Sequence, residues 1–259
     1  MKNLFDSNGR FINTDHTLGY TSSRNYFCLD KNIKSKIDKK KIYKNCKDFF
    51  KSKILISEED FFKEINIIEK KISSNDDINQ IENCVSIPFI LPVLDSTDIG
   101  KNLLDIFIPA LKLSYSSRFP KYEFINHIKD DLKNLLIPSQ NSSYDKIIKN
   151  TKTKNLVGKT YLCLNEFSFS GAEKALAEVN NNFYLSGAYE VMTLLICMPE
   201  LLTNTEKYPP LLWFSSMRHS ENPNIGFHLE PYGYNLNLNK RAHLNLISEY
   251  WWHSLSITS

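Results

Sequence analysis

Residues 102–124 read NLLDIFIPALKLSYSSRFPKYEF, and this stretch decides how the rest of the chain is interpreted. If the stretch is a helix, its first half is apolar on every side, whereas the second half contains the polar residues Arg118, Lys121 and Tyr122 near its end. A helix that is apolar all round must be covered on more than one side. Two alternatives stay open: a helix in the centre of the chain's own core, or a helix shared between that core and another subunit.

Pro109 interrupts this stretch. Proline has no backbone N–H to donate, and its ring collides with the preceding turn of a helix. We therefore expect the helix to kink or to begin again at this residue.

The composition is that of an ordinary globular protein. Of the 259 residues, 42% are hydrophobic and 24% are charged, so the chain can bury a sizeable core. The net charge of +3 is too small to indicate a nucleic-acid partner. The longest uncharged apolar runs, at 84–94 and 191–199, are too short to span a membrane, and the amino terminus shows no secretory signal. We expect a soluble, cytoplasmic protein whose five cysteines are reduced.

Helical periodicity is frequent along the chain. It predicts helices in four stretches besides the first one, at 57–72, 122–136, 187–198 and 243–257. Ser57 is placed to cap the first of them, and Pro199 to end the third. Ser170 and Glu173 have the spacing of a capping box, which predicts a further helix that begins at Ser170.

Strand-like patterns are fewer and lie mostly near the carboxyl terminus. Residues 84–94 are apolar and extended, and beyond Pro210 the runs LLWFSS, NIGFHLE and YNLNLN alternate as strands do. These patterns predict an α+β fold with a mainly helical centre and a small antiparallel sheet toward the carboxyl terminus. We divide the chain into a lysine-rich, partly helical region at 1–80, a helical core or interface region at 81–185, and a helix with a β-rich region at 186–259.

Motifs for catalysis or metal binding are incomplete. VGKT at 157–160 matches the end of a phosphate-binding loop, but Thr153 stands where that loop requires glycine. The histidines form no HExxH motif and the cysteines no CxxC motif. His228 and Glu230 share a face of a predicted strand and could pair. We predict no catalytic, cofactor-binding or metal-binding residue and no enzyme activity.

From Cys84 to Phe183 the order of features resembles TssG, a wedge protein of the type VI secretion baseplate. The segments VSIPFILPVL and LLDIFIPALKLSYSSRFPKYEF are similar to an apolar segment and a helix of that family. The run LVGKTYLCLNEFSFSGAEKALAEVNNNF is similar to the stretch that follows them. The matching positions are Leu104, Asp105, Phe107, Tyr115, Lys121, Tyr122, Phe124, Gly158, Tyr161, Leu164, Ser170, Gly171, Glu173, Leu176 and Phe183.

This resemblance implies a structural role in a contractile injection system. A TssG-like protein joins two copies of a TssF-like partner into a wedge, contacts a TssK-like adaptor and meets sheath and spike-hub components. It implies assembly at the inner face of the bacterial inner membrane, with no membrane insertion, nucleic acid or cofactor. The interface residues expected on this basis are Leu104, Phe107, Leu111, Tyr115, Arg118 and Tyr122.

Two other interpretations stay open. A divergent hydrolase would use Cys163 as nucleophile and a distant histidine such as His228 as base. A small adaptor or immunity-type binding protein would dock through the lysine-rich segment at 31–53. The alternative interpretation of this segment is that its lysines form a solvated helix face.

Overall fold

The computed structural model describes residues 3–140, 142–179 and 182–259. The helices are α1 Lys39–Phe50, α2 Glu58–Ser73, α3 Ile99–Asn102, α4 Ile108–Arg118, α5 Tyr144–Thr151, α6 Phe169–Glu178 and α7 Ala188–Cys197. The strands are β1 Ser86–Leu91, β2 Phe124–Asn126, β3 Leu136–Pro138, β4 Leu156–Asn165, β5 Phe183–Leu185, β6 Leu211–Trp213, β7 Met217–His219, β8 Gly226–Tyr232, β9 Asn235–Arg241 and β10 Trp251–Thr258.

A mixed eight-stranded sheet organises the molecule. Its order is β1-β4-β10-β6-β8-β9-β2, with β5 also pairing to β10, while β3 and β7 form a separate two-stranded sheet. β4 runs antiparallel to β1 and β10, whereas β6 is parallel to β10 and β2 is parallel to β9. Strands from the predicted regions 81–185 and 186–259 therefore belong to one sheet.

This architecture is an α/β fold, with 36% of the chain helical and 23% in strands. The predicted α+β fold with a mainly helical centre and a small antiparallel sheet is therefore wrong. The error arises at β4 and β10, where every residue except the last of each strand is buried. A strand that is covered on both faces shows no alternation of polar and apolar residues, so periodicity does not reveal it. The helix predicted at 243–257 is wrong for this reason.

The helix predicted at 122–136 is also wrong, because side chains there favour turns. The Oδ1 atom of Asn126 accepts a hydrogen bond from the N–H of Ile128 at 3.0 Å, and Asp131 Oδ1 accepts one from the N–H of Lys133 at 3.0 Å. Asn134 has a φ of +57°, which a helix does not allow. Such local bonds offer the backbone an alternative to a helix, and the segment forms β2, turns and β3 instead.

Other predicted elements are confirmed. α2 begins after Ser57, whose Oγ accepts from the N–H of Asp60 at 3.1 Å, and α7 ends before Pro199 with every residue buried. Strands form as predicted at 84–94 and in the three alternating runs after Pro210. α6, however, begins two residues earlier than predicted: Ser168, not Ser170, caps it by accepting from the N–H of Gly171 at 3.1 Å.

The stretch 102–124 forms the helical unit that packs on α7. α3 continues through a π-helical turn, Leu103–Phe107, and α4 begins at Ile108 with Pro109 in its first turn, so the predicted restart is confirmed. The Phe107 ring stacks on Tyr189 of α7, with ring centroids 5.0 Å apart. α1 packs against both α4 and α7, and α1 and α7 contact β1.

Candidate functional site

Three of the six predicted interface residues lie inside the chain's own core. Phe107 and Leu111 are fully buried, and Tyr115 is 2% exposed. The hydroxyl of Tyr115 donates to the carbonyl oxygen of Tyr234 at 2.5 Å, which ties α4 to the β8–β9 hairpin. Burial raises the pKa of Tyr115 to about 12. A partner cannot reach these three side chains in the folded chain.

The other three predicted interface residues reach the surface. Leu104 is partly buried, the side chain of Arg118 is 57% exposed and Tyr122 is 36% exposed. On the outer side of α4, Leu113 is 52% exposed. The interface prediction therefore stays open for Leu104, Arg118 and Tyr122.

Tyr122 belongs to a group of exposed tyrosines around the end of α4. Its ring stacks on Tyr234 with centroids 4.9 Å apart, and Tyr234 follows Tyr232, which is 80% exposed at the end of β8. Gly233 stands between these two tyrosines with a φ of +60° and no heavy atom within 4 Å of the place a Cβ would take. The hairpin tip thus presents its two tyrosines at the surface.

A second pair of aromatic residues stands across a shallow depression from this hairpin. Phe27 forms a β-bridge with Tyr208, and their ring centroids are 6.2 Å apart. The depression, of about 450 Å³, is lined on one side by Phe27 and Tyr208 and on the other by Pro231 and Tyr234. Tyr208 is 77% exposed, and the neighbour of Phe27, Tyr26, is 62% exposed.

We call Tyr26, Tyr122, Tyr208, Tyr232 and Tyr234 the tyrosine surface. Exposed apolar residues scattered singly are normal, but aromatic residues that lie side by side mark interaction sites. A tyrosine ring offers apolar area together with a hydroxyl that can donate or accept. The arrangement is suited to contact with another protein, and we take it as the candidate functional site.

The VGKT motif does not form a phosphate-binding loop. It lies within β4, where a Cβ on Gly158 would come within 2.3 Å of the Phe89 ring. The ammonium group of Lys159 pairs with Glu82 at 2.5 Å and with Glu69 at 3.3 Å. The glycine therefore admits an aromatic ring, and the lysine neutralises two carboxylates.

The residues of the hydrolase alternative lie in the interior. Cys163 is fully buried, and burial raises the pKa of its thiol. His228 is 1% exposed, and burial lowers its pKa; its Nε2 atom lies 3.4 Å from a carboxylate oxygen of Glu230, so the two side chains share a face as predicted. A buried, protonated thiol is not a nucleophile.

Sequence reasoning missed a buried serine–histidine pair. The Oγ atom of Ser215 and Nδ1 of His253 are 2.9 Å apart, and Nε2 of His253 lies 3.2 Å from the carbonyl oxygen of Phe167. Burial lowers the pKa of His253 to about 3, so its ring is neutral near pH 7. Both side chains are fully buried, so substrate cannot reach them without opening the sheet.

A second buried titratable group was also missed. The carboxylate of Glu190 accepts hydrogen bonds from the hydroxyls of Tyr144 at 2.7 Å and Tyr184 at 3.1 Å and from the N–H of Gly187 at 2.9 Å. Burial raises its pKa, and these bonds oppose that effect. The group fixes the start of α7 against α5 and β5.

A pocket of about 610 Å³ lies beneath the amino-terminal segment, and Arg10, Asn165 and Trp252 contribute to its lining. The Arg10 guanidinium donates to the carbonyl oxygens of Tyr20 and Asn165. Arg10 Nε, Asn165 Oδ1 and Trp252 Nε1 have no hydrogen-bond partner, but neighbouring atoms cover them. These three atoms therefore do not face the open pocket.

Five of the ten lysines of the 31–53 segment form ion pairs with other parts of the chain. Lys31 pairs with Glu206, Lys36 with Asp30, Lys39 with Glu69, Lys41 with Glu200 and Lys53 with Asp95. These contacts favour the solvated-face interpretation of the segment over a basic docking surface.

The described residues contain no group of three or more histidine, cysteine or acidic residues that could hold a metal ion, and none of their helices is long and apolar enough to cross a membrane. Comparison with known proteins found no family model, no curated protein and no solved structure that matches the chain.

Proposed function

We propose that the chain is a structural subunit of a protein assembly and that it binds its partner through the tyrosine surface. The observation that carries the proposal is the set of five exposed tyrosines on the β8–β9 hairpin, on the turn after α4 and on the two segments that border the adjoining depression. Tyr26, Tyr208 and Tyr232 are 62%, 77% and 80% exposed, so each would lose much solvent contact on binding. Tyrosine is enriched at protein interfaces and among the residues that contribute most to binding.

We further propose that this assembly is a type VI secretion baseplate, at the inner face of the bacterial inner membrane. The support is the resemblance to TssG over residues 84–183. Tyr122 links the two arguments, since it stands at a matching position of that resemblance and also belongs to the tyrosine surface. The partner is then a TssF-like protein in two copies, with a TssK-like adaptor as a further contact.

Site-specific photocrosslinking tests both parts of the proposal. The chain is co-expressed with the TssF-like and TssK-like proteins of the same genome, with benzoylphenylalanine in place of Tyr208 or Tyr232. The matched control carries it in place of Leu113, which is 52% exposed on α4. We expect a crosslink to the TssF-like protein from the two tyrosine positions and none from the control.

Three results would contradict the proposal in different ways. A crosslink from Leu113 alone would place the interface on the outer side of α4 rather than on the tyrosine surface. Failure of the chain to co-purify with either protein would overturn the baseplate assignment. A genome that encodes neither protein would do the same.

A further inference from the structure

Two cysteines that are far apart in sequence meet between α1 and α7. The Sγ atoms of Cys46 and Cys197 lie 3.2 Å apart, although 151 positions separate the two residues. Both side chains are buried, at 0% and 1% exposure. A disulfide bond requires about 2.05 Å, so the sulfur atoms need to approach by about 1 Å.

The backbone on both sides of this pair is already held in place. The side-chain amide of Asn45 donates to the carbonyl oxygen of Cys197 at 2.7 Å. Next to it, the hydroxyl of Ser114 on α4 donates to the carbonyl oxygen of Ile196 at 2.6 Å. The hydrogen bond of Asn45 therefore fixes α1 against α7 at the position of the sulfurs, and that of Ser114 fixes α4 against α7 beside them.

We propose that Cys46 and Cys197 are a disulfide site, which a small-molecule disulfide such as oxidised glutathione closes. One protein thiolate attacks a sulfur of oxidised glutathione, forming a mixed disulfide and releasing one glutathione thiolate. The second protein thiolate then attacks the protein sulfur of that mixed disulfide and releases the second glutathione. In total two protein thiols lose their protons and two electrons, one S–S bond forms, and oxidised glutathione is reduced to two glutathione molecules.

Burial makes the reaction slow in the folded chain. The hydrogen bond with Cys46, together with burial, raises the pKa of the Cys197 thiol, so it is protonated near pH 7. Oxidised glutathione is also too large to reach covered sulfurs. The first exchange therefore requires a local opening of α1, whose other face is exposed lysine. During folding from the unfolded chain this barrier is absent.

Closing the bond would fasten the lysine-rich amino-terminal region to the centre of the core. α7 is buried along its whole length, and α1 is the first long helix of the chain. A crosslink across a loop this long restricts the unfolded chain strongly, which stabilises the folded state. The oxidised protein should melt at a higher temperature than the reduced protein.

The test compares the full-length chain refolded in a glutathione redox buffer with the native chain incubated in the same buffer. Free thiols are blocked, the protein is digested, and crosslinked peptides are identified by mass spectrometry. We expect a Cys46–Cys197 peptide in both samples, formed more slowly in the native one. We also expect a melting temperature that rises by several degrees and returns to the reduced value with dithiothreitol.

The chain offers matched controls for this experiment. Cys197→Ala and Cys46→Ala should each remove the crosslink and the rise in melting temperature, so a folding failure of one variant leaves the other as the test. Cys163→Ala should retain both, although Cys163 lies close enough to Cys84 to raise the pKa of the Cys84 thiol. The proposal is overturned if both thiols are alkylated after refolding, or if Cys84 and Cys163 form the dominant crosslink.

Discussion

The buried face of the α4 region and the tyrosine surface are neighbours, yet they have opposite relations to solvent. Phe107 and Leu111 are apolar and fully buried, and the Phe107 ring stacks on Tyr189 of α7. Tyr208 and Tyr232, at the other extreme, are more than three-quarters exposed. The dense apolar stretch is therefore buried by the chain itself, whereas the exposed tyrosine rings remain in contact with solvent.

Substitutions at buried and at exposed rings should affect different properties: the first the stability of the folded chain, the second the binding of a partner. Removal of a ring from the core leaves a cavity that the folded chain must carry. Removal of an exposed ring leaves the folded chain almost unchanged, and its effect appears only when a partner is present. The following four predictions test this separation, in order of decreasing effect.

The largest effect is expected for Phe107→Ala. Phe107 stacks on Tyr189 and contacts Phe50 edge to face, with ring centroids 5.4 Å apart. The free energy of unfolding should fall by about 3–5 kcal/mol, the usual loss for a buried phenylalanine. Chemical denaturation measures it, with Leu113→Ala on the same helix as a control that should change stability by about 0.5 kcal/mol or less. Equal effects of the two variants would show that the α4 region is not packed as described.

The double variant Tyr208→Ala, Tyr232→Ala should weaken binding while leaving stability nearly unchanged. Its free energy of unfolding should stay within about 0.5 kcal/mol of the wild type, because both rings are exposed. Binding to the TssF-like protein should weaken by about 2 kcal/mol or more, roughly 30-fold, as measured by calorimetry. Leu246→Ala, which removes another exposed side chain, is the control. A stable variant that binds as the wild type does would exclude the tyrosine surface as the interface.

Tyr115 connects the two regions, and its effect should depend on pH. Its pKa is raised from 10.0 to about 12 in the folded chain, so its contribution is fully present below pH 10 and is lost as the pH rises from 10 to 12. Tyr115→Phe lacks a group that ionises and loses the bond to the Tyr234 carbonyl, which contributes about 1 kcal/mol at neutral pH. The difference in unfolding free energy between wild type and variant should therefore shrink between pH 10 and 12. A difference that is constant with pH would contradict this.

The smallest effect on stability is expected for Arg118→Ala. Arg118 is exposed and lies 3.8 Å from Glu200, which also pairs with Lys41 at 3.5 Å and so keeps a partner. The free energy of unfolding should fall by about 0.5 kcal/mol or less. Binding to the TssF-like protein, measured in the same calorimetric assay, should weaken by about 1 kcal/mol if the interface extends to the end of α4. If the free energy of unfolding falls by more than the free energy of binding, Arg118 contributes to the folded core rather than to the interface.

Local sequence patterns predicted the elements that carry a local signal. α2 has a capping serine and an apolar stripe, and α7 is a long apolar run ended by proline. β4 and β10 carry no such signal, because both of their faces are buried. Since these two strands join the halves of the sheet, missing them led to the wrong fold class.

The candidate site was predictable only in part, for a related reason. Tyr122 was identified because it stands in the opening stretch, but Tyr26, Tyr208 and Tyr232 are single residues in turns or at strand ends. Their proximity depends on the fold, through the Phe27–Tyr208 bridge and the β8–β9 hairpin. The contact between Cys46 and Cys197 is likewise tertiary.

The position of β10 has a consequence for how the chain folds. This strand pairs with β4, β5 and β6, and it follows all three of them in sequence. Until β10 docks, β4 and β6 each present an unpaired edge, and such edges join with those of other incompletely folded chains. Protection by a chaperone would therefore be most valuable in the interval before β10 docks.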